Sequence, residues 1–153
     1  MNTDIRQATS DTVTEIVEQF TFMLADPGGG KDAKVPSKDF RMALMSIEAP
    51  GRLDVRMAAP LPLCREFASN LLATEGGAVT DDSAEDALKE LLKVVCGRLA
   101  SSLYGDRVLV ELAPPRVSPL SPGAWESFCR DAQTQAFNVE GQPLAVRVSE
   151  GGE

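Results

Sequence analysis

Apolar residues at Val13, Ile16, Val17, Phe20, Met23 and Leu24 recur at the spacing of one helix face, which predicts a helix over about 11–25. Thr12 with Glu15 has the pattern of a capping box at its start, and Asp26-Pro27-Gly28 provides the stop. A second helical stripe, Cys64, Phe67, Ala68, Leu71 and Leu72, follows Pro60 and Pro62 and ends near Gly76. A third helix is expected from Ser83, whose hydroxyl would cap with Asp86, to about Leu103, with Gly105 just beyond its end.

Elsewhere the period shortens. Phe40 to Ile47 reads FRMALMSI, an extended apolar run. Ala49-Pro50-Gly51-Arg52 places proline and glycine as a type II turn wants them. Leu53, Val55 and Met57 then alternate with Arg52, Asp54 and Arg56, as in a half-buried hairpin strand. Val108, Val110 and Leu112 predict another strand, ended by Pro114-Pro115. Residues 118–123 read as loop, and Trp125 to Cys129 as a short turn or helix. A last pair of strands, near Thr134–Val139 and Leu144–Val148, is joined by Glu140-Gly141. The expected order is α-β-β-α-α-β-β-β, an α+β fold of three main helices on a largely antiparallel sheet. The whole chain, 1–153, reads as one domain, with 27–39 a flexible loop and 149–153 a tail.

The third helix separates into two faces. Leu88, Leu91, Leu92, Val95, Leu99 and Leu103 gather on a side that must be core. Asp86, Glu90, Lys93, Val94, Gly97 and Ser101 lie roughly opposite, on a face that turns small and apolar after its first turn. Gly97 costs up to about 1 kcal/mol relative to alanine inside a helix, so its place suggests that something approaches the backbone there. From spacing alone, Glu90 and Lys93 form an i,i+3 ion pair worth about 0.2–0.5 kcal/mol.

Composition narrows the chemistry. With a net charge of −8 and no cluster of Lys and Arg, the chain is not suited to nucleic acid. The acid concentrates between Glu75 and Glu90, where six carboxylates accompany one lysine, Lys89. The chain contains no histidine, which removes Ser-His and Cys-His catalysis and His-based zinc sites. Cys64, Cys96 and Cys129 are odd in number and far apart, and read as reduced thiols of a cytoplasmic protein. Neither a signal peptide nor a membrane-spanning run is evident. Gly30-Lys31 suggests a phosphate loop, but Ala25 and Asp32 stand where that motif needs glycine and Ser or Thr. No metal or organic cofactor is expected.

The stretch DALKELLKVVCGRLASSLYGDRVLVELAPPRV resembles the helix and following strand of the CheX branch of the CheC/CheX/FliY chemotaxis phosphatases. The run DFRMALMSIEAPGRLDVRMAAPLPLCREFASNLLA is similar to that family's hairpin and second helix. The resemblance implies binding to the phosphorylated receiver domain of a CheY-like response regulator and hydrolysis of its aspartyl phosphate. In the family's ExxN signature the glutamate engages a receiver lysine and the asparagine carboxamide orients the attacking water. It also implies homodimers that pair through their sheets, for which the Phe40–Ile47 strand or the final hairpin would present an edge.

Carried over position by position, Glu90 is the motif glutamate and Lys93 stands at the asparagine position. A charged lysine has three donors and no acceptor, so it cannot take a proton from water as a carboxamide oxygen could. Glu90 and Lys93 are therefore the candidate catalytic residues, with Asp86, Glu90, Val94 and Gly97 the candidate partner surface. Two readings stand side by side. One is a receiver phosphatase working by an altered geometry; the other is a receiver-binding or homodimeric domain that keeps the fold without turnover.

Overall fold

The computed structural model describes residues 2–27, 38–71 and 79–150. Among these residues four helices and seven strands follow one another as α1 (Asn2–Thr21), β1 (Ala25–Pro27), β2 (Phe40–Ala49), β3 (Leu53–Pro60), α2 (Leu61–Leu71), α3 (Asp81–Tyr104), β4 (Glu111–Leu112), β5 (Arg116–Leu120), α4 (Pro122–Arg130), β6 (Thr134–Val139) and β7 (Gln142–Glu150). Every strand pairing is antiparallel, in the order β1-β6-β7-β3-β2-β4, with β5 also on β2. The α+β class and the antiparallel sheet agree with the hydrophobic pattern.

The alternation of strand side chains divides the molecule into two cores. Ala43, Met45, Val55, Met57, Ala59, Phe137, Leu144 and Val146 face α1, α2 and α3. On the other side, Phe40, Ala58 and Ala145 meet Trp125 and Phe128 of α4, and the rings of Phe40 and Trp125 stack with centroids 4.6 Å apart. The stripe read for α3 forms the centre of the larger core: Leu88, Leu91, Leu92, Val95 and Leu99 are all fully buried, each worth about 1.5–3 kcal/mol on burial.

Several boundaries differ from expectation. Helix α1 begins at Asn2 rather than near 11 and ends at Thr21 rather than 25. Thr12 is thus a buried mid-helix residue and not a cap. The helix stops where Phe22 takes a φ of 63°, which leaves the Phe22 and Leu24 side chains exposed. Thr80, not Ser83, caps α3: its hydroxyl accepts from Ser83 N, and Ser83 Oγ accepts from Thr80 N in return. Gly51 lacks the positive φ of a type II turn, and the Ala49–Pro50 peptide is cis. By contrast, Glu140 and Gly141 both have positive φ, as a two-residue hairpin requires.

Strands β1 and β5 were not expected, and 125–129 lies within a full helix, α4. Ser149 and Glu150, read as tail, pair with Asp54 and Leu53 in the sheet. Pro27, read as the start of the flexible loop, pairs with Phe137 in the sheet. Residues 28–37 of that loop reading, with Gly30-Lys31, and the Leu72 and Gly76 end of the second stripe lie outside the described residues. The Phe40–Ile47 strand is not a free edge, since β2 is paired on both sides by β3 and by β4 and β5; in the final hairpin β7 lies between β3 and β6, and β1 pairs with β6 at Phe137, Asn138 and Val139.

Candidate functional site

Helix α3 lies on the sheet against α1, α2 and β2, and two cross-element ion pairs hold its rotation. Arg41 of β2 donates to Glu85 at 2.7 Å, with both side chains largely covered. Arg98 donates to Glu15 of α1, also at 2.7 Å. Their partners are 44 and 83 residues apart in sequence, and no local pattern announces either pair. With the leucine stripe pinned inward, the opposite stripe has one direction left to face.

That stripe carries Asp86, Glu90, Lys93 and Gly97. Lys93 Nζ lies 2.8 Å from Glu90 Oε2, and each side chain is 50% exposed. One turn earlier Lys89 Nζ lies 3.4 Å from Asp86 Oδ1, with Asp86 72% exposed. A Cβ built on Gly97 meets nothing within 4 Å, so no described part of this protein occupies the space above it. Val94 sits at the margin of the stripe, half-buried and packed against the main core. The structure therefore brings Asp86, Glu90, Lys93 and Gly97 onto one open face and assigns part of Val94 to packing.

The chemistry available on this face is that of two oppositely charged groups in water. Glu90 precedes Lys93 on the helix, the favourable order with respect to the helix dipole. An exposed pair of this kind contributes about 0–1 kcal/mol, so a partner with its own charges exchanges for it at little cost. Lys93 can donate to a phosphoryl oxygen but has no lone pair to receive a proton. The thiols add no nucleophile: burial pushes Cys64 and Cys96 up to about 12 and Cys129 up to about 11, so all three remain protonated near neutrality. Among the described residues no group of three or more acidic, cysteine or histidine side chains stands together as a metal site, and no helix is long and apolar enough to cross a membrane.

Comparison with known proteins places this geometry in context. A family described as the chemotaxis phosphatase CheX matches residues 41–125, which include the hairpin, α2, α3 and the Glu90–Lys93 face. No curated protein matches the chain. Among solved structures, a chemotaxis protein CheX from Desulfovibrio desulfuricans is 12% identical with a TM-score of 0.70, covering 96% of this chain and 99% of that one. A CheC-like superfamily protein from Shewanella sp. PV-4 is 15% identical with a TM-score of 0.69, over 99% of this chain and 100% of that one. A CheX from Borrelia burgdorferi, solved as a CheX–CheY–BeF3–Mg2+ complex, is 12% identical with a TM-score of 0.61, over 94% and 95% of the two chains. At these identities the likeness is one of fold.

Proposed function

The chain belongs to the chemotaxis phosphatase CheX family, and from that premise we propose that it binds the phosphorylated receiver domain of a CheY-like response regulator through the outer face of α3. The observation that carries the reading is the open stripe of Asp86, Glu90, Lys93 and Gly97, whose charged members are at least half exposed. The CheY-bound Borrelia CheX supports the class of partner.

In this reading Glu90 takes a basic group of the receiver and gives up its contact with Lys93. The freed ammonium then turns to the phosphoryl oxygens, which it attracts as a point charge. The bare Gly97 backbone lets the partner approach the rod closely. An aspartyl phosphate is already an activated acyl phosphate, so what remains for hydrolysis is a water held in line with the leaving oxygen. Glu90 is the one acceptor on the pair that can take part in holding it.

A second reading, binding without turnover, is favoured by a specific feature. Lys93 stands where the family signature has asparagine, it offers no acceptor, and it is engaged with Glu90. Both readings share the docking step, which a titration tests. Receivers of the source organism, kept phosphorylated by excess acetyl phosphate, are titrated with the protein and with Glu90→Arg. Saturable binding of one receiver, weakened at least tenfold by the charge reversal, is the expected result; no binding to any receiver refutes the proposal.

Self-association belongs to the same reading. The edge made by β4 and β5 is the open one on that side of the sheet, and beside it Leu109 is 83% and Leu112 40% exposed. Light scattering that shows monomer alone at high protein concentration would remove this part.

A further inference from the structure

Far from the α3 stripe, β3 and β7 set two arginines opposite one another: Arg56 and Arg147 are register partners in the sheet and share one of its faces. Like charges directly opposite across strands are destabilising, and a sheet normally avoids them. Arg147 is offset, since Asp131 Oδ2 accepts from its Nη1 at 2.8 Å and its guanidinium lies 5.0 Å from the centroid of the Phe128 ring. Arg56 is not offset: among the described residues no carboxylate stands within ion-pair distance of it. The nearest acid along its own face, Asp54, is occupied by Ser46 Oγ at 2.7 Å and by Arg52 at 3.4 Å.

These two arginines line a cavity of about 750 Å³. It exists because β6 starts at Thr134, opposite Arg147, whereas β7 runs on to Glu150, so the last residues of β7 have no neighbour on that side. The turn at 131–133 and the first half of α1 close around the gap and add a third guanidinium, Arg6, to the lining. Arg6 likewise has no carboxylate partner among the described residues; its guanidinium makes one long donation, 3.4 Å, to the Ala132 carbonyl. Of the acids in the lining, Asp131 and Asp54 are committed as described, and Glu150 is exposed.

We propose that this cavity binds a small phosphorylated anion, held by Arg56 and Arg147 with Arg6 at its wall. The volume matches sites that hold small organic ligands. The planar guanidinium fork suits phosphate oxygens, and a bound anion between Arg56 and Arg147 turns a repulsive pair into a chelating one. In a chain of net charge −8, three arginines converge on one hollow against three carboxylates, Asp54, Asp131 and Glu150, so the lining is formally neutral. With Asp54 and Asp131 engaged elsewhere, Arg56 and Arg6 are the groups left for an anion.

The probe is inorganic pyrophosphate, followed by calorimetric titration and by thermal unfolding against sodium chloride of matched ionic strength. Wild type is expected to bind saturably and to unfold at a higher temperature with pyrophosphate than with chloride. Arg56→Gln is expected to weaken binding at least tenfold, while its ligand-free unfolding temperature stays equal to that of wild type or rises, because the like-charge contact is gone. Arg116→Gln, an exposed arginine of β5, should bind as wild type does. Three outcomes overturn the proposal: no saturable binding by wild type, equal binding by Arg56→Gln, or an equal loss in Arg116→Gln, which would reduce the effect to bulk charge. A ligand-free Arg56→Gln that unfolds at a lower temperature would also count against it, by giving Arg56 a structural role.

Discussion

Lys93 and Glu90 form a 2.8 Å ion pair one turn apart on a helix whose other side is wholly buried, and both remain half in water. An exposed pair is worth little to the fold, so its removal separates stability from recognition. Lys93→Asn and Glu90→Gln are each expected to change the unfolding free energy by no more than about 0.5 kcal/mol, measured by urea denaturation. A loss of several kcal/mol would show that this face is structural.

Gly97 gives a second separation. The space above it is open, so alanine there should raise the unfolding free energy by up to about 1 kcal/mol through helix propensity alone. If a receiver approaches the backbone at this point, the same methyl group weakens receiver binding. The paired measurement is a denaturation curve and a binding titration on Gly97→Ala, expected to move in opposite directions.

The far side of the sheet depends on one stack. Trp125 is 5% exposed and lies over Phe40 with an interplanar angle of 12°. Trp125→Ala should cost about 3–5 kcal/mol, read from the denaturant midpoint. Since α4 touches neither α3 nor the Glu90–Lys93 pair in the packing described, whatever folded fraction survives should still bind a receiver.

The cysteines predict a pH dependence. Their folded pKa values, about 11 to 12, exceed the value of 9.0 for a free thiol. Between those limits the unfolded chain loses protons that the folded one keeps, so this contribution is fully present below about pH 9 and falls as pH rises above it. Native protein should react slowly with a thiol reagent at pH 8 and quickly, at all three cysteines, once unfolded. Rapid native labelling of Cys64 or Cys96 would contradict their burial.

Much of the fold was legible because burial imposes a period. The α3 stripe, the alternation along β3 and the Glu140-Gly141 turn each show local chemistry agreeing with tertiary position, whereas the turn between β2 and β3 is not the type its Pro-Gly pair suggested. What escaped did so for physical reasons. The first half of α1 buries Thr9 and Thr12 where a stripe would place aliphatic residues; Thr9 does this by donating its hydroxyl to the Ile5 carbonyl at 2.7 Å, so a polar letter behaves as core. Strand β5 is mostly exposed and contains Pro119, which reads as loop, yet an edge strand tolerates it. Strand β1 is three residues long, too short for any alternation. On the α3 face, the residue types and their spacing were readable, but the clamps that aim it, Arg41–Glu85 and Arg98–Glu15, join distant segments and leave no local trace.

The most direct test is the lifetime of a phosphorylated receiver. A receiver that binds in titration is phosphorylated, freed of donor, and followed with catalytic amounts of wild type or Lys93→Asn. If the α3 face is a family active site altered at one position, Lys93→Asn shortens the lifetime beyond whatever wild type achieves, because a carboxamide restores an acceptor for the attacking water. If neither protein changes the lifetime, and Glu90→Gln leaves receiver binding untouched, the α3 face is not where this chain meets its partner.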